Sequence, residues 1–102
     1  MLSHACFEFL VAAEQATTAE DKAKAVDILS GVVKHYAAGF GYPREVIDAL
    51  AGLIAAYRRQ RVTLQDLMEK AEAVQRYYGR ENPMPLRELL EALEVPTRLD
   101  PS

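Results

Sequence analysis

The segment that decides the fold is YRRQRVTLQDLMEKAEAVQRYYGRENPMP, residues 57–85. It opens with arginines at the end of one predicted helix and reaches Thr63, whose hydroxyl is suited to cap the next helix. From Leu64 to Tyr78, apolar residues recur at intervals of three and four, the spacing of one helix face. Gly79 then ends the pattern. The segment therefore predicts a helical hairpin whose second arm is a single long helix.

Helical spacing extends along the rest of the chain, and no strand-like alternation interrupts it. We expect an all-α fold, a compact bundle of about five helices in which helices two and three, and helices three and four, form antiparallel hairpins. The helices are predicted at about 3–16, from the segment 17–20 to about 38, from 43 to about 61, from 63 to 78, and at about 86–93. Residues 1–95 would form a single helical domain, and residues 96–102 a flexible C-terminal tail.

Local signals set the bounds of the second helix. Thr17 and Glu20 have the spacing of a capping box at its start, and Gly39 and Gly41 are expected to stop it. Pro43 then suits the first turn of the third helix.

Two glycines fall inside predicted helices, Gly31 in the second and Gly52 in the third. Each costs about 1 kcal/mol relative to alanine, and the two lie at similar distances from the turn between the helices. This symmetry predicts a close crossing of the two backbones at the glycines. The alternative is that one or both glycines face solvent.

Composition limits the class of protein. The chain has 102 residues, enough for one domain, with half of them apolar, about a quarter charged and a net charge of −3. This composition is not that of a disordered chain, and a general nucleic-acid coat protein would usually be basic. The alanine and arginine content suggests a bacterial source.

The N-terminal segment and the single cysteine suggest a compartment. MLSHACFEFLVAAEQ lacks a basic start, and Glu8 interrupts its apolar run, so no signal peptide is predicted. Cys6 has no second cysteine with which to form an intramolecular disulfide. No uncharged run is long enough to cross a membrane. We expect a cytoplasmic protein.

The first helix has two apolar faces. Leu2, Cys6, Phe9 and Ala13 lie on one side, and Phe7 and Val11 lie nearly opposite. Either this helix is central in the fold, or its second face packs on another chain. We predict a partner or dimer interface at Phe7, Leu10 and Val11.

Two segments, TLQDLMEKA (63–71) and GRENPMPLRELLEALEVP (79–96), resemble the second helix and the last loop and fifth helix of lambda-repressor-like DNA-binding domains. The resemblance implies a DNA-binding transcriptional regulator with a degenerate helix-turn-helix. That family needs a turn and a recognition helix between the two segments. Only seven residues intervene here, and Glu72 and Ala73, at the expected turn, are good helix formers. DNA binding is therefore the alternative function, and it would use the basic cluster 58–61.

Residues 51–80 form the only basic part of the chain, with six Lys/Arg against three Asp/Glu. We predict a basic–aromatic patch that would suit an acidic partner surface. Its members are Arg58, Arg59, Arg61, Arg76, Tyr77 and Arg80. The alternative is that the arginines near position 58 complement a helix dipole and that Tyr77 covers the edge of the core.

No arrangement of residues predicts catalysis. His4 and Cys6 are two apart, His35 is isolated, and neither spacing suits a metal site on a helix. No glycine-rich phosphate loop follows a strand. We therefore expect no catalytic residue, no metal and no cofactor. The predicted function is a small intracellular protein–protein interaction module, an adaptor, inhibitor or regulatory subunit. Its expected partner is another protein or itself, as a homodimer, with nucleic acid less favoured and no membrane.

Overall fold

Five helices make up the described part of the chain. The computed structural model describes residues 2–39, 41–79 and 85–94. The helices are α1 (Leu2–Gln15), α2 (Ala19–Ala37), α3 (Arg44–Arg58), α4 (Leu64–Gly79) and α5 (Leu86–Ala92), and no strand occurs in these ranges. The predicted all-α bundle of five helices is therefore confirmed. The predicted tail, 96–102, lies outside the described residues.

Helix α1 makes the most extensive helix–helix contacts in the described part of the chain. Its buried stripe is the predicted one, Leu2, Cys6, Phe9 and Ala13. It packs extensively against both α2 and α4. Helix α3 also contacts α2 and α4, on the side of these two helices that faces away from α1. The four helices thus form a ring in which the α1–α4 pair and the α2–α3 pair are opposite edges.

Helices α2 and α3 form an antiparallel pair. Near the end of α3, Arg58 Nη2 lies 3.2 Å from Oδ1 of Asp27 in the middle of α2. Gly39 (φ +105°) and Gly41 (φ +87°) occupy the turn between the helices. Both angles lie in the left-handed region that glycine adopts without strain, so these two glycines end α2 as predicted.

The short helix α5 is held against α4. Leu89 and Leu93 are buried in the core. The Lys70 ammonium of α4 donates a hydrogen bond of 2.6 Å to the carbonyl of Ala92. This bond satisfies a carbonyl that the end of α5 leaves without an intrahelical partner.

Two threonines cap helices, one of them as predicted. Thr63 Oγ1 accepts from the Asp66 N–H at 3.0 Å, and Asp66 Oδ2 accepts from the Thr63 N–H at 2.9 Å, a reciprocal capping box. At α2 the cap is Thr18, whose hydroxyl accepts from the Asp21 N–H at 3.0 Å. The predicted cap at Thr17 was therefore wrong by one residue.

The predicted close crossing at Gly31 and Gly52 is wrong. Both glycines are exposed, and a Cβ atom added to either would meet nothing within 4 Å. The buried residues Leu29 on α2 and Leu50 on α3 are each two positions away from the glycine. Two positions turn the side-chain direction by about 200°, so the glycines face solvent.

Helix α3 ends at Arg58, three residues before the predicted end. Gln60 has φ +61°. Its N–H donates to the Tyr57 carbonyl at 2.9 Å, and the Arg61 N–H donates to the Ala56 carbonyl at 2.8 Å. These two bonds form a Schellman motif, with glutamine in the left-handed position where glycine is usual.

Four tyrosines join the α2–α3 turn to the end of α4. Tyr42 contacts Tyr36 and Tyr78 edge to face, at centroid distances of 5.2 and 4.9 Å, and Tyr77 contacts Tyr78 at 4.8 Å. The Tyr42 hydroxyl accepts from the Leu2 N–H at 3.1 Å. The Tyr78 hydroxyl is buried and has no hydrogen-bond partner in the described ranges. Burial, and then repulsion from Tyr77 and Tyr42, raises the pKa of Tyr78 to about 12.

The left-handed Gln60 predicts that glycine would stabilise the chain at this position. A non-glycine residue pays about 1–2 kcal/mol in this conformation, which outweighs the extra entropy that glycine loses on folding. We expect Gln60→Gly to raise the free energy of unfolding in urea by about 0.5–1 kcal/mol. Gln75→Gly, inside α4, is the matched control and should lower it by about 1 kcal/mol. A loss of stability in Gln60→Gly would contradict the assignment of the motif.

The buried Tyr78 hydroxyl predicts a pH-dependent effect. The folded pKa of about 12 lies above the unaltered value of 10. The unfolded chain therefore loses this proton first, so the free energy of unfolding falls as the pH rises from 10 toward 12. We expect Tyr78→Phe to keep or raise stability at neutral pH, by up to about 1 kcal/mol, and to reduce the alkaline loss.

Urea unfolding from neutral to alkaline pH measures both effects. Tyr57→Phe, which alters a tyrosine outside the cluster, is the matched control for removing a hydroxyl. A loss of more than about 1 kcal/mol at neutral pH in Tyr78→Phe would mean that the hydroxyl has a partner in the folded protein.

Candidate functional site

Large apolar side chains are exposed on the side of α1 next to α4. Phe7 is 47% exposed and Val11 37% exposed, and the two lie one helical turn apart. Leu10 is half-buried and packs against the core. Of the three residues predicted as an interface, two therefore present apolar surface to solvent and the third supports them from below.

A shallow groove follows the line between α1 and α4, and Phe7 stands in the middle of it. On one side of Phe7 is a depression of about 440 Å³, and on the other side one of about 360 Å³. We call this surface the α1–α4 face. Its members are His4, Phe7, Leu10, Val11, Glu14, Met68, Glu69, Glu72, Gln75 and Arg76.

The α1–α4 face carries net negative charge. Arg76 Nη2 lies 3.1 Å from Glu72 Oε2, so these two charges compensate each other. Within the described ranges, Glu14 and Glu69 have no cation within ion-pair distance. The face therefore combines an apolar centre with two uncompensated carboxylates.

A second groove lies between α2 and α3, on the opposite edge of the bundle. It has a volume of about 380 Å³, and we call it the α2–α3 groove; its lining is Ser30, Val33, Lys34, Ala51, Ile54, Ala55, Arg58 and Arg59. Val33 and Ile54 are buried at its floor. Arg58 is paired with Asp27, whereas Lys34 and Arg59 have no carboxylate within ion-pair distance among residues 2–39, 41–79 and 85–94. This groove combines an apolar floor with a basic rim.

The α2–α3 groove was not among the sites predicted from the sequence. A signal for it was present, because Ala51, Ile54 and Ala55 precede Arg58 and Arg59 at helical spacing. The sequence does not show how α2 is rotated about its axis relative to α3, and this rotation brings Lys34 to the α2–α3 groove.

The residues of the predicted basic–aromatic patch fall into two groups. Arg58 and Arg59 line the α2–α3 groove, and Arg61 is exposed just after it. Arg76 and Tyr77 lie at the far end of α4, about 18 Å along the helix axis from its first residue. Arg80, the sixth member, lies outside the described residues. The described members do not form one continuous patch, because the length of α4 separates them.

Helix α4 runs without a break from Leu64 to Gly79. Glu72 and Ala73 lie within it, as their helix-forming character predicts. Along this helix there is no turn that would separate a recognition helix from a preceding one. The lambda-repressor-like arrangement is therefore not formed between residues 64 and 79.

The cysteine and the two histidines are the side chains most suited to catalysis or metal binding. The cysteine is buried, and each histidine contacts a neighbouring side chain at the surface. Burial raises the pKa of the Cys6 thiol to about 12, which keeps it protonated and a poor nucleophile. His4 Nε2 lies 3.3 Å from Glu8 Oε2, one turn along α1. The ring of His35 contacts that of Tyr36 edge to face at 4.9 Å. A search of the described residues found no group of three His, Cys, Asp or Glu that could hold a metal ion.

None of the helices described above is long and apolar enough to cross a membrane. Comparison with protein-family models, with curated proteins and with solved structures found no match to this chain.

Proposed function

We propose that this protein is a non-enzymatic protein-interaction module that associates with a second copy of itself through the α1–α4 face. The observation that carries the proposal is the exposure of Phe7 and Val11 side by side on one helix. Adjacent exposed apolar side chains mark interaction sites more often than scattered ones do. Aromatic side chains, phenylalanine among them, are also enriched in the cores of protein interfaces.

The energetics favour covering this surface. Fully burying a phenylalanine or valine side chain contributes about 1.5–3 kcal/mol, and Phe7 and Val11 realise only part of this in the isolated chain. Leu10 and Met68 line the same groove and would add apolar contact around them. The largest gain in free energy on association is therefore expected at the centre of the α1–α4 face.

The chemistry of the remaining side chains supports a role in binding. The thiol of Cys6 is buried and protonated, and the imidazole of His4 is engaged by Glu8 at the surface. The single cysteine and the absence of an intramolecular disulfide suit a reducing compartment. We place the module in the cytoplasm, as an adaptor, inhibitor or regulatory subunit.

The double variant Phe7→Glu/Val11→Glu tests the interface. We expect the wild-type chain to associate as its concentration rises and the variant to remain a folded monomer, because the variant loses the apolar contact of both side chains and brings two charges against apolar surface. Light scattering coupled to size exclusion measures the mass, and circular dichroism checks that helix content is retained.

Ile28→Glu is the matched control. Ile28 is 39% exposed on α2 and lies outside the α1–α4 face, so this variant should associate as the wild type does. Unchanged association in Phe7→Glu/Val11→Glu would rule out the face as the interface. Unfolding of that variant would show instead that the face belongs to the core.

The same experiment tests the alternative of DNA binding. We expect a random-sequence DNA duplex to leave the elution unchanged at low and moderate salt. A complex that dissociates steeply as salt rises, and that is lost in Arg58→Ala/Arg59→Ala/Arg61→Ala, would favour a DNA regulator instead.

A further inference from the structure

The two grooves of this chain are complementary in charge. The α1–α4 face carries Glu14 and Glu69, which have no compensating cation in the part of the chain that the structure describes, around the apolar Phe7 and Val11. The α2–α3 groove carries Lys34 and Arg59 without compensating carboxylates in the described ranges, around an apolar floor. One surface presents exposed apolar side chains with a negative rim, and the other an apolar groove with a positive rim.

The two surfaces also lie on opposite sides of the molecule. Helix α1 contacts α2 and α4, and α3 contacts the same two helices from the other side. The α1–α4 edge and the α2–α3 edge are therefore separated by the core. A copy bound at one edge leaves the other edge accessible.

We propose that the α1–α4 face of one chain binds in the α2–α3 groove of a second copy, so that the chain associates head to tail. The inference rests on the proposed function, since it names the partner surface for Phe7 and Val11. Phe7 is the anchor that enters the groove over Val33 and Ile54. The uncompensated acids of the face then lie near the basic rim.

A symmetric contact is disfavoured on the same grounds. In a two-fold dimer, both copies present the same surface to each other. Two α1–α4 faces brought together would each carry the uncompensated charges of Glu14 and Glu69, and like charges in an interface oppose association. The α2–α3 groove removes this repulsion and supplies the opposite charge.

Head-to-tail binding has a consequence that a symmetric dimer lacks. Each bound pair keeps one free α1–α4 face and one free α2–α3 groove, so further copies add, either into a closed ring or into an open filament. The mean mass of the wild-type chain should therefore rise beyond that of a dimer with concentration. It should fall as ionic strength rises, because the rim charges are exposed.

Mixing two inactive variants tests the arrangement. Phe7→Glu/Val11→Glu removes the face and keeps the groove, whereas Lys34→Glu/Arg59→Glu alters the groove and keeps the face. We expect each variant alone to associate at least about tenfold more weakly than the wild type. An equimolar mixture should form a one-to-one dimer and no larger species, because only one intact face and one intact groove can meet.

The outcomes separate this inference from the proposed function. If Lys34→Glu/Arg59→Glu associates as the wild type does and the mixture forms no mixed one-to-one dimer of the two variants, the head-to-tail inference is overturned while the α1–α4 interface stands. If Phe7→Glu/Val11→Glu also associates as the wild type does, or if the wild type is a monomer at every concentration, both fail.

Exchanging the charges gives a second, independent test. A single chain with Glu14→Lys, Glu69→Lys, Lys34→Glu and Arg59→Glu restores opposite charge between face and groove, so association should return toward the wild-type level. Failure to recover, with helix content retained, would count against the charge pairing. Arg44→Glu/Arg87→Glu, which reverses two exposed charges outside both surfaces, is the control and should leave association unchanged.

Discussion

The burial of one stripe of α1 is the constraint on which the rest of the structure depends. Leu2, Cys6, Phe9 and Ala13 fill the space between α2 and α4. A helix enclosed on one side by two neighbours turns its remaining side chains outward. Phe7 and Val11 occupy that outward side, so the packing that stabilises the monomer also creates its exposed apolar surface. The proposed interface is thus a direct result of how the core is built.

The distribution of charge determines which surface of a second copy that apolar surface binds in our account. The net charge of −3 is spread unevenly. Among residues 2–39, 41–79 and 85–94, carboxylates without a cation partner lie on α1 and α4, and cations without a carboxylate partner lie between α2 and α3. Electrostatic complementarity contributes more to specificity and to the rate of encounter than to affinity. In our account, apolar contact at Phe7 supplies the affinity and the rims select the surface that it meets.

The sequence predicted the helical elements because their signals are local. The Thr63–Asp66 box and the unbroken pattern through Glu72 and Ala73 identified α4 correctly. The cap of α2 was misplaced because Thr17 and Thr18 are adjacent, and each stands three residues before an acidic residue. The end of α3 was missed because the left-handed position holds glutamine rather than glycine.

What the sequence did not predict depends on how helices are rotated against each other. Gly31 and Gly52 were expected at a close crossing, but both face solvent, and the larger side chains two positions away, Leu29 and Leu50, are the buried ones. The α2–α3 groove was missed for the same reason. The separation of Arg61 from Arg76 was available from the length of α4, since a helix rises about 1.5 Å per residue.

The most direct test of the central claim is nuclear magnetic resonance of the wild-type chain at increasing concentration. The account predicts that the signals of the Phe7 ring and the Val11 methyl groups change as copies associate, because their exposed surface becomes buried. The methyl signals of Ile28, comparably exposed but outside both surfaces, should remain constant. Signals of Phe7 and Val11 that stay unchanged from dilute to concentrated solution would contradict the claim that the α1–α4 face is an interaction surface.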